Sequence, residues 1–305
     1  MTIKNLAAAA FAAAALISVP ASLGTSLTGS TPSNSITAEA ASDYIGNCSR
    51  AGTFQGKKAY AADGLGYIIE GSTATLIGRP SNASAVIMHD KVKIEGKTYN
   101  VTKVHSDAFK GTSGTYAIKE FKAGKNLEEI GENAFKDSPV RTIVLNSGLK
   151  KIGSNAFSGT LVKEVDIPGS VTLIQEEAFM NTPISTLSLH SGLTTIGNDA
   201  FHNTSVEEIV IPATVTKIGT HAFDGCNLKT VYIDASGDQK KITIEDTAFA
   251  YNEQLKYLYN YRKNITVAGT SFKRDTPYIN DDDDPNCFII SGQRRAYLED
   301  IIFGM

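Results

Sequence analysis

The chain has 305 residues, 42% hydrophobic and 20% charged, with a formal net charge of −3, the composition of an ordinary soluble protein with enough apolar residues for a large core. Residues 281–305 alone carry −4 (six acidic, two basic), so the remainder sums to +1, which excludes the basic field of a nucleic-acid binder. Three cysteines, Cys48, Cys226 and Cys287, are too few and too scattered for a disulfide framework.

The N-terminus reads as an export signal. Lys4 precedes an uncharged apolar run from Leu6 to Val19, shorter than the roughly 20 residues of a membrane helix and suited to the h-region of a secretory signal. Two small-residue cleavage patterns follow, Val19-Pro20-Ala21 and Ala38-Glu39-Ala40; the second also removes the Ser/Thr-rich segment from Ser22 to Thr37 and is favoured. Residues 1–40 are therefore expected to be a signal peptide and processing region, with an uncleaved anchor as the alternative. No later segment is long and apolar enough to span a bilayer, so the mature chain is expected without a membrane span, secreted or held at the cell surface.

Further on the sequence repeats. Ala-Phe recurs with its ring at Phe109, Phe135, Phe157, Phe179, Phe201, Phe223 and Phe249, at intervals of 26, 22, 22, 22, 22 and 26, and an isoleucine or valine stands five residues before each, from Val104 to Ile244. Between them lies a run ordered apolar, any, any, apolar, any, apolar: Val140–Leu145, then Val162–Ile167, Ile184–Leu189, Val206–Ile211 and Leu228–Ile233. Twenty-two residues with so few apolar positions cannot enclose a core alone, but stacked copies bury those positions against their neighbours. Each run is predicted to be a short β-strand pairing with the turns before and after it, with the phenylalanine inside the coil. Gly131, Gly153, Gly197 and Gly219 follow the isoleucine, and Pro168 and Pro212 follow strands, placing both residue types at corners. The two longer intervals are assigned to surface loops near Gly111–Tyr116 and within Asp234–Lys241.

The pattern, as in Val162-Lys-Glu-Val-Asp-Ile-Pro-Gly-Ser-Val-Thr-Leu-Ile-Gln-Glu-Glu-Ala-Phe179, resembles the BspA or Treponema type of bacterial surface-antigen leucine-rich repeat over roughly residues 100–272. The resemblance implies a right-handed leucine-rich-repeat solenoid with short parallel β-strands, and adhesion or recognition as its role. The stretch from Gly66-Tyr67-Ile68-Ile69 through Val86-Ile87 to Val101 is similar to the β-rich lead-in of such arrays, so residues 41–103 are assigned to an N-terminal cap that covers an otherwise unpaired strand edge. The solenoid is set at residues 104–272, with a degenerate last turn from Leu255 in which Ser271 replaces the usual alanine. Residues 273–305 remain as an acidic linker and a C-terminal cap or tail.

Outward positions of the strands form columns. One reads Lys122, Val144, Asp166, Ser188, Val210, Tyr232, Tyr259, and its neighbour Glu120, Thr142, Glu164, Thr186, Glu208, Thr230, Tyr257. Tyr232, Tyr257 and Tyr259, flanked by Lys229 and Lys256, form the preferred ligand-binding patch, since tyrosine offers contact area at low entropic cost. The competing reading packs them under the final turn as part of its cap.

Catalytic motifs are absent: there is no HExxH, GxSxG, P-loop or CxxC. His221 follows Asp199 and Glu177 in one column and could pair with a carboxylate as a base, but a solvated corner ladder is the favoured reading. Cys226 is expected to be a buried structural thiol. The run Asp281–Asp284 lacks the alternate spacing of a calcium loop and reads as a solvated linker. A Cys48–Cys287 bridge is not expected, because six rungs at strand spacing already span about 29 Å.

The resulting expectation is an exported recognition or adhesion protein, not an enzyme, that uses no metal or cofactor and binds a protein or glycan on a host or neighbouring cell through its strand face. The alternative is a self-associating structural component of the cell surface.

Overall fold

The computed structural model describes residues 45–47, 49–78, 84–114, 117–235, 240–268, 271–272, 278–281 and 284–290, with the segments at 45–51 and 278–290 described by backbone alone. The signal region 1–40, Cys48 and residues 291–305 lie outside the described residues. No helix occurs among the described residues; the chain is a β-solenoid of about seven turns preceded by a β-rich cap.

The cap is an antiparallel meander of Ser49–Phe54, Lys57–Ala62, Leu65–Glu70 and Thr73–Gly78. Its last strand pairs in parallel with Lys97–Val104, placing Leu76 beside Val104. Buried Tyr67, Leu76, Val92, Val101 and Val104 join this unit to the solenoid core, and Thr73–Gly78 covers the edge that the first rung presents. Ala85–Ile87, further back in the lead-in, already pairs in parallel with Glu120–Lys122, so this stretch supplies the first rung of the outer face.

Each turn contributes to three ladders. The first is the expected strand run. The second passes through the isoleucines: Lys103–Val104, Glu129–Ile130, Lys151–Ile152, Leu173–Ile174, Thr195–Ile196, Lys217–Ile218, Thr243–Ile244 and Thr266–Val267 pair in parallel without a break. Sequence reading placed these residues in the core but not in strands, because a two-residue strand is too short to show alternation. The third runs along the Ala-Phe corners, where each phenylalanine N–H donates to the carbonyl of the alanine one turn on at 2.7–2.8 Å, and Phe249 donates to Ser271. Seven rings therefore stack, with Phe272 as the eighth, at centroid distances of 5.0–5.3 Å and interplanar angles of 2–15°. Ser271 fits the alanine position because its hydroxyl donates to Glu245 O at 2.7 Å.

The corners rest on two columns of left-handed backbone. Two residues before the rings stand Asp107, Asn133, Asn155, Glu177, Asp199, His221 and Thr247, with φ between 53° and 58°. Two residues after them stand Gly111, Asp137, Gly159, Asn181, Asn203, Gly225 and Tyr251, with φ between 50° and 68°. Glycine, asparagine and aspartate adopt this conformation most readily, which accounts for most of both columns. The glycines after the isoleucines serve another purpose: they lack a positive φ, and a Cβ on Gly153 would lie 2.7 Å from the Gly131 carbonyl carbon. Tyr251 departs from its column, with 57% of its surface exposed and φ of 50°. Replacing it with asparagine should stabilise the protein by about 1 kcal/mol by relieving left-handed strain. A rise in the urea midpoint at unchanged slope is the expected result, and an unchanged midpoint would refute the strain argument.

The outer strand face, unlike the isoleucine ladder, is split into three sheets, with seams between Thr142–Val144 and Glu164–Ile167 and between Thr186–Leu189 and Glu208–Ile211. At continuous steps the N–H of Arg141, Ser185 and Lys229 donates to the carbonyl 22 residues earlier, on Lys119, Lys163 and Glu207. At the seams the bond slips by one residue, from Leu161 to Val140 and from Ser205 to Ile184, both 2.8 Å. The slip uses an N–H that Pro139 and Pro183 lack at the equivalent position. The turns bearing Pro139 and Pro183 therefore seat in register on the turn before them, as the turn bearing Asn227 does without a proline, and the turn that follows each proline-bearing one is displaced.

At the C-terminal end, Asp284–Ile290 pairs antiparallel with Tyr257–Tyr259, and Tyr278–Asp281 pairs with it as a hairpin. The acidic run read as a linker thus has its ends, Asp281 and Asp284, in the two paired strands; Asp282 and Asp283 lie outside the described residues. Arg262, 4% exposed, reaches back into the coil. Its Nε donates to Asp234 O at 2.7 Å, Nη1 to Val215 O at 2.7 Å and Nη2 to Pro212 O at 2.5 Å. Burial draws its pKa below the usual arginine value, with the charge of Asp234 opposing the shift. Asp234 itself is buried, unlike the exposed Lys240 and Lys241 at the other end of its loop.

Candidate binding face

The outward columns lie on the split strand face. In-register pairing sets Thr230 beside Tyr257 and Tyr232 beside Tyr259. The Tyr232 and Tyr259 rings stack at 4.9 Å and 8°, and Tyr257 lies 6.2 Å from Tyr259 at 28°. Lys256 Nζ stands 4.7 Å over the Tyr257 ring, the geometry of a cation–π contact. Lys229 Nζ is engaged with Glu207 Oε2 at 2.7 Å. All three tyrosines are half-buried while both lysines are exposed. The structure therefore brings the five residues together at the C-terminal end of the face. The terminal hairpin extends the same sheet beyond Tyr257–Tyr259, so the patch sits between the last full turns and that hairpin.

His221 does not pair along its column with Asp199. Its Nδ1 lies 2.7 Å from Oδ2 of Asp224 in its own turn, and His202 Nδ1 stands 3.7 Å from the same oxygen. The left-handed backbone at His221 turns its ring toward the residue three positions on, a local contact that reading down the columns overlooks. Thr247 Oγ1 also reaches the ring, at 3.0 Å from Nδ1. Cys226 is buried, with its sulfur 3.1 Å from Thr204 Oγ1 and 3.2 Å from the Phe201 carbonyl. Burial pushes its thiol up to about 11, so it stays protonated at neutral pH and is poorly suited to nucleophilic chemistry. The side chain of Cys287 lies outside what is described.

Two features went unread in the sequence. In the cap, Tyr67 OH donates to His89 Nδ1 at 2.5 Å and His89 Nε2 donates to Asp63 Oδ2 at 3.1 Å. His89 is 1% exposed, and burial pulls its pKa below the usual histidine value against the pull of Asp63. With its ring enclosed, the chain Tyr67–His89–Asp63 acts as a polar tie within the cap. The second feature is an open groove of about 660 Å³ at the first seam, lined by Arg141, Thr142, Leu161, Lys163, Glu164 and Pro183. The alternation of Pro139 and Pro183 with Leu161 and Ser205 was its sequence signal.

The family model for the BspA type leucine rich repeat region, six copies, matches residues 90–206 and 172–280. Among solved structures, the pneumococcal vaccine antigen PcpA is similar with a TM-score of 0.53 and 20% identity, over 70% of this chain and 65% of that one. The chain thus spans just under two thirds of PcpA. A leucine-rich repeat protein of Bacteroides capillosus aligns with a TM-score of 0.36 and 22% identity over 43% of this chain and 98% of that one. The T. pallidum leucine rich repeat protein gives 0.44 and 21% over 65% and 80%. No curated protein matches the sequence significantly.

Proposed function

Because the chain belongs to the BspA-type leucine-rich repeat family, we propose that it is an exported recognition or adhesion protein of the cell surface that binds a protein or glycan partner on a host or neighbouring cell. The contact is assigned to Tyr232, Tyr257 and Tyr259, with Lys229 and Lys256 at its margin. The observation that carries this reading is the tyrosine stack on the outer face: three half-buried rings present a preorganised aromatic surface, rigid before a ligand arrives. Export rests on the apolar run at Leu6–Val19, and the surface role on family membership. The reading assigns no catalytic residue, metal or cofactor.

The test is a binding survey of the protein against a glycan panel and host-cell surface proteins, repeated with Tyr232, Tyr257 and Tyr259 all changed to alanine. The variant should keep its far-ultraviolet circular dichroism and lose about tenfold or more in affinity for the captured partner, as expected of hot-spot aromatics. Undiminished binding by the folded variant would sink the assignment.

A further inference from the structure

We propose that the column Lys119, Arg141 and Lys163, at the first seam of the strand face, is a binding track for an acidic polysaccharide. This goes beyond the tyrosine reading and does not depend on it.

The three cations occupy equivalent positions in successive turns. Arg141 N donates to Lys119 O, fixing them one rung apart at about 4.8 Å along the coil, and Lys163 follows across the seam. All three are exposed. Like charges stacked at that spacing repel one another, so a repeat protein ordinarily sets an acid one turn away from each. This chain does so elsewhere: Lys150 pairs with Glu128, Lys151 and Lys103 with Glu129, Lys217 with Glu245, and Lys229 with Glu207, at 2.7–3.4 Å. Among the described residues, no carboxylate comes within ion-pairing distance of Lys119, Arg141 or Lys163. Three cations in a row without an ion-pair partner make a linear electrostatic track whose complement is a chain with regularly spaced negative charge.

The surroundings narrow the partner. Arg141 and Lys163 line the 660 Å³ groove, whose apolar parts are Ile143, Leu161 and Pro183; Leu161 is 40% exposed. Beside the cations runs the column Glu120, Thr142 and Glu164, in which Glu120 pairs directly with Thr142. Glu164, next to Lys163, is exposed and open to a ligand. Carboxylates in that place repel a ligand that is anionic throughout, but they accept hydrogen bonds from hydroxyl groups. A polysaccharide with sulfate or carboxylate groups interspersed among free hydroxyls satisfies both columns. An acidic peptide presents no comparable row of hydroxyl donors.

The test measures binding of the full-length protein to heparin, hyaluronan, neutral dextran and poly-glutamate by surface plasmon resonance over a salt series. Wild type should bind an acidic polysaccharide, weaken as salt rises, and ignore dextran and poly-glutamate. The variant Lys119→Gln/Arg141→Gln/Lys163→Gln should melt like wild type and bind about tenfold more weakly. The control Lys150→Gln/Lys151→Gln/Lys217→Gln makes the same change in net charge at acid-paired positions and should bind like wild type, as should the triple tyrosine variant. Absence of binding by wild type, equal loss in the lysine control, or equal binding of poly-glutamate would each overturn the proposal. Loss confined to the tyrosine variant would move the glycan to that patch instead.

Discussion

Phe179→Ala should lower the stability of the protein by about 3–5 kcal/mol, the cost of deleting a fully buried aromatic side chain from a close-packed core. Phe179 stands mid-stack, with Phe157 at 5.2 Å and Phe201 at 5.3 Å, and none of its surface is exposed. The neighbouring rings cannot close the gap, because the backbone ladder at the same corner holds Phe157 N to Ala178 O and Phe179 N to Ala200 O, both at 2.8 Å. The residual cavity therefore stays open, and its lining loses dispersion contacts on both sides. Urea denaturation followed by circular dichroism measures the effect, and the chain has no tryptophan to report it by fluorescence. A transition broadened into two steps is the further expectation, since a weak central turn uncouples the halves of a one-dimensional array. A loss below about 1 kcal/mol would show that the corner collapses around the missing ring, contrary to the packing argument.

Arg262→Ala should cost about 3–5 kcal/mol, because it removes three charge-assisted hydrogen bonds to buried carbonyls. Two acceptors, Pro212 and Val215, bracket one corner and the third, Asp234, lies one turn on, so one side chain fastens the C-terminal turn to the two before it. Arg262→Lys should restore only a minor part of the loss, since an ammonium cannot present donors in a planar fork. The effect should be local: hydrogen exchange should accelerate over residues 208–267 and leave the cap near Leu76 and Val104 protected. Uniform acceleration along the whole chain would show that the clamp is not confined to that end.

The contrast between these two residues marks what the sequence discloses. Phe179 was legible because it repeats: the same residue at a 22-residue interval, each time preceded by alanine, needs only the physics of stacking to become a column of rings. Ser271-Phe272 could be recognised as a worn copy for the same reason, and the in-register tyrosines follow from the same period. Arg262 belongs to no period. In Tyr261-Arg262-Lys263-Asn264 it reads as one more solvated charge, and only the converging carbonyls of Pro212, Val215 and Asp234 hold it inside. The contact of His221 with Asp224 went unread for a related reason, since Asp224 lies within its own turn. The second ladder hid behind its shortness, with a single apolar residue per rung. The left-handed columns did leave a signal, the recurrence of asparagine, aspartate and glycine two residues on either side of four of the seven phenylalanines.

The unequal continuity of the ladders has a mechanical consequence. The isoleucine ladder runs from Lys103 to Val267 without interruption, whereas the outer face is divided at two seams. Bending the molecule so that the outer face spreads lengthens only the seams, each crossed at its start by a single out-of-register backbone bond, and leaves every bond of the isoleucine ladder in place. Bending in the opposite sense meets the stacked rings and the continuous ladder in compression. The solenoid is therefore compliant in one direction about a stiff backbone, in the manner of a segmented spine, and its joints fall beside the proline-bearing turns.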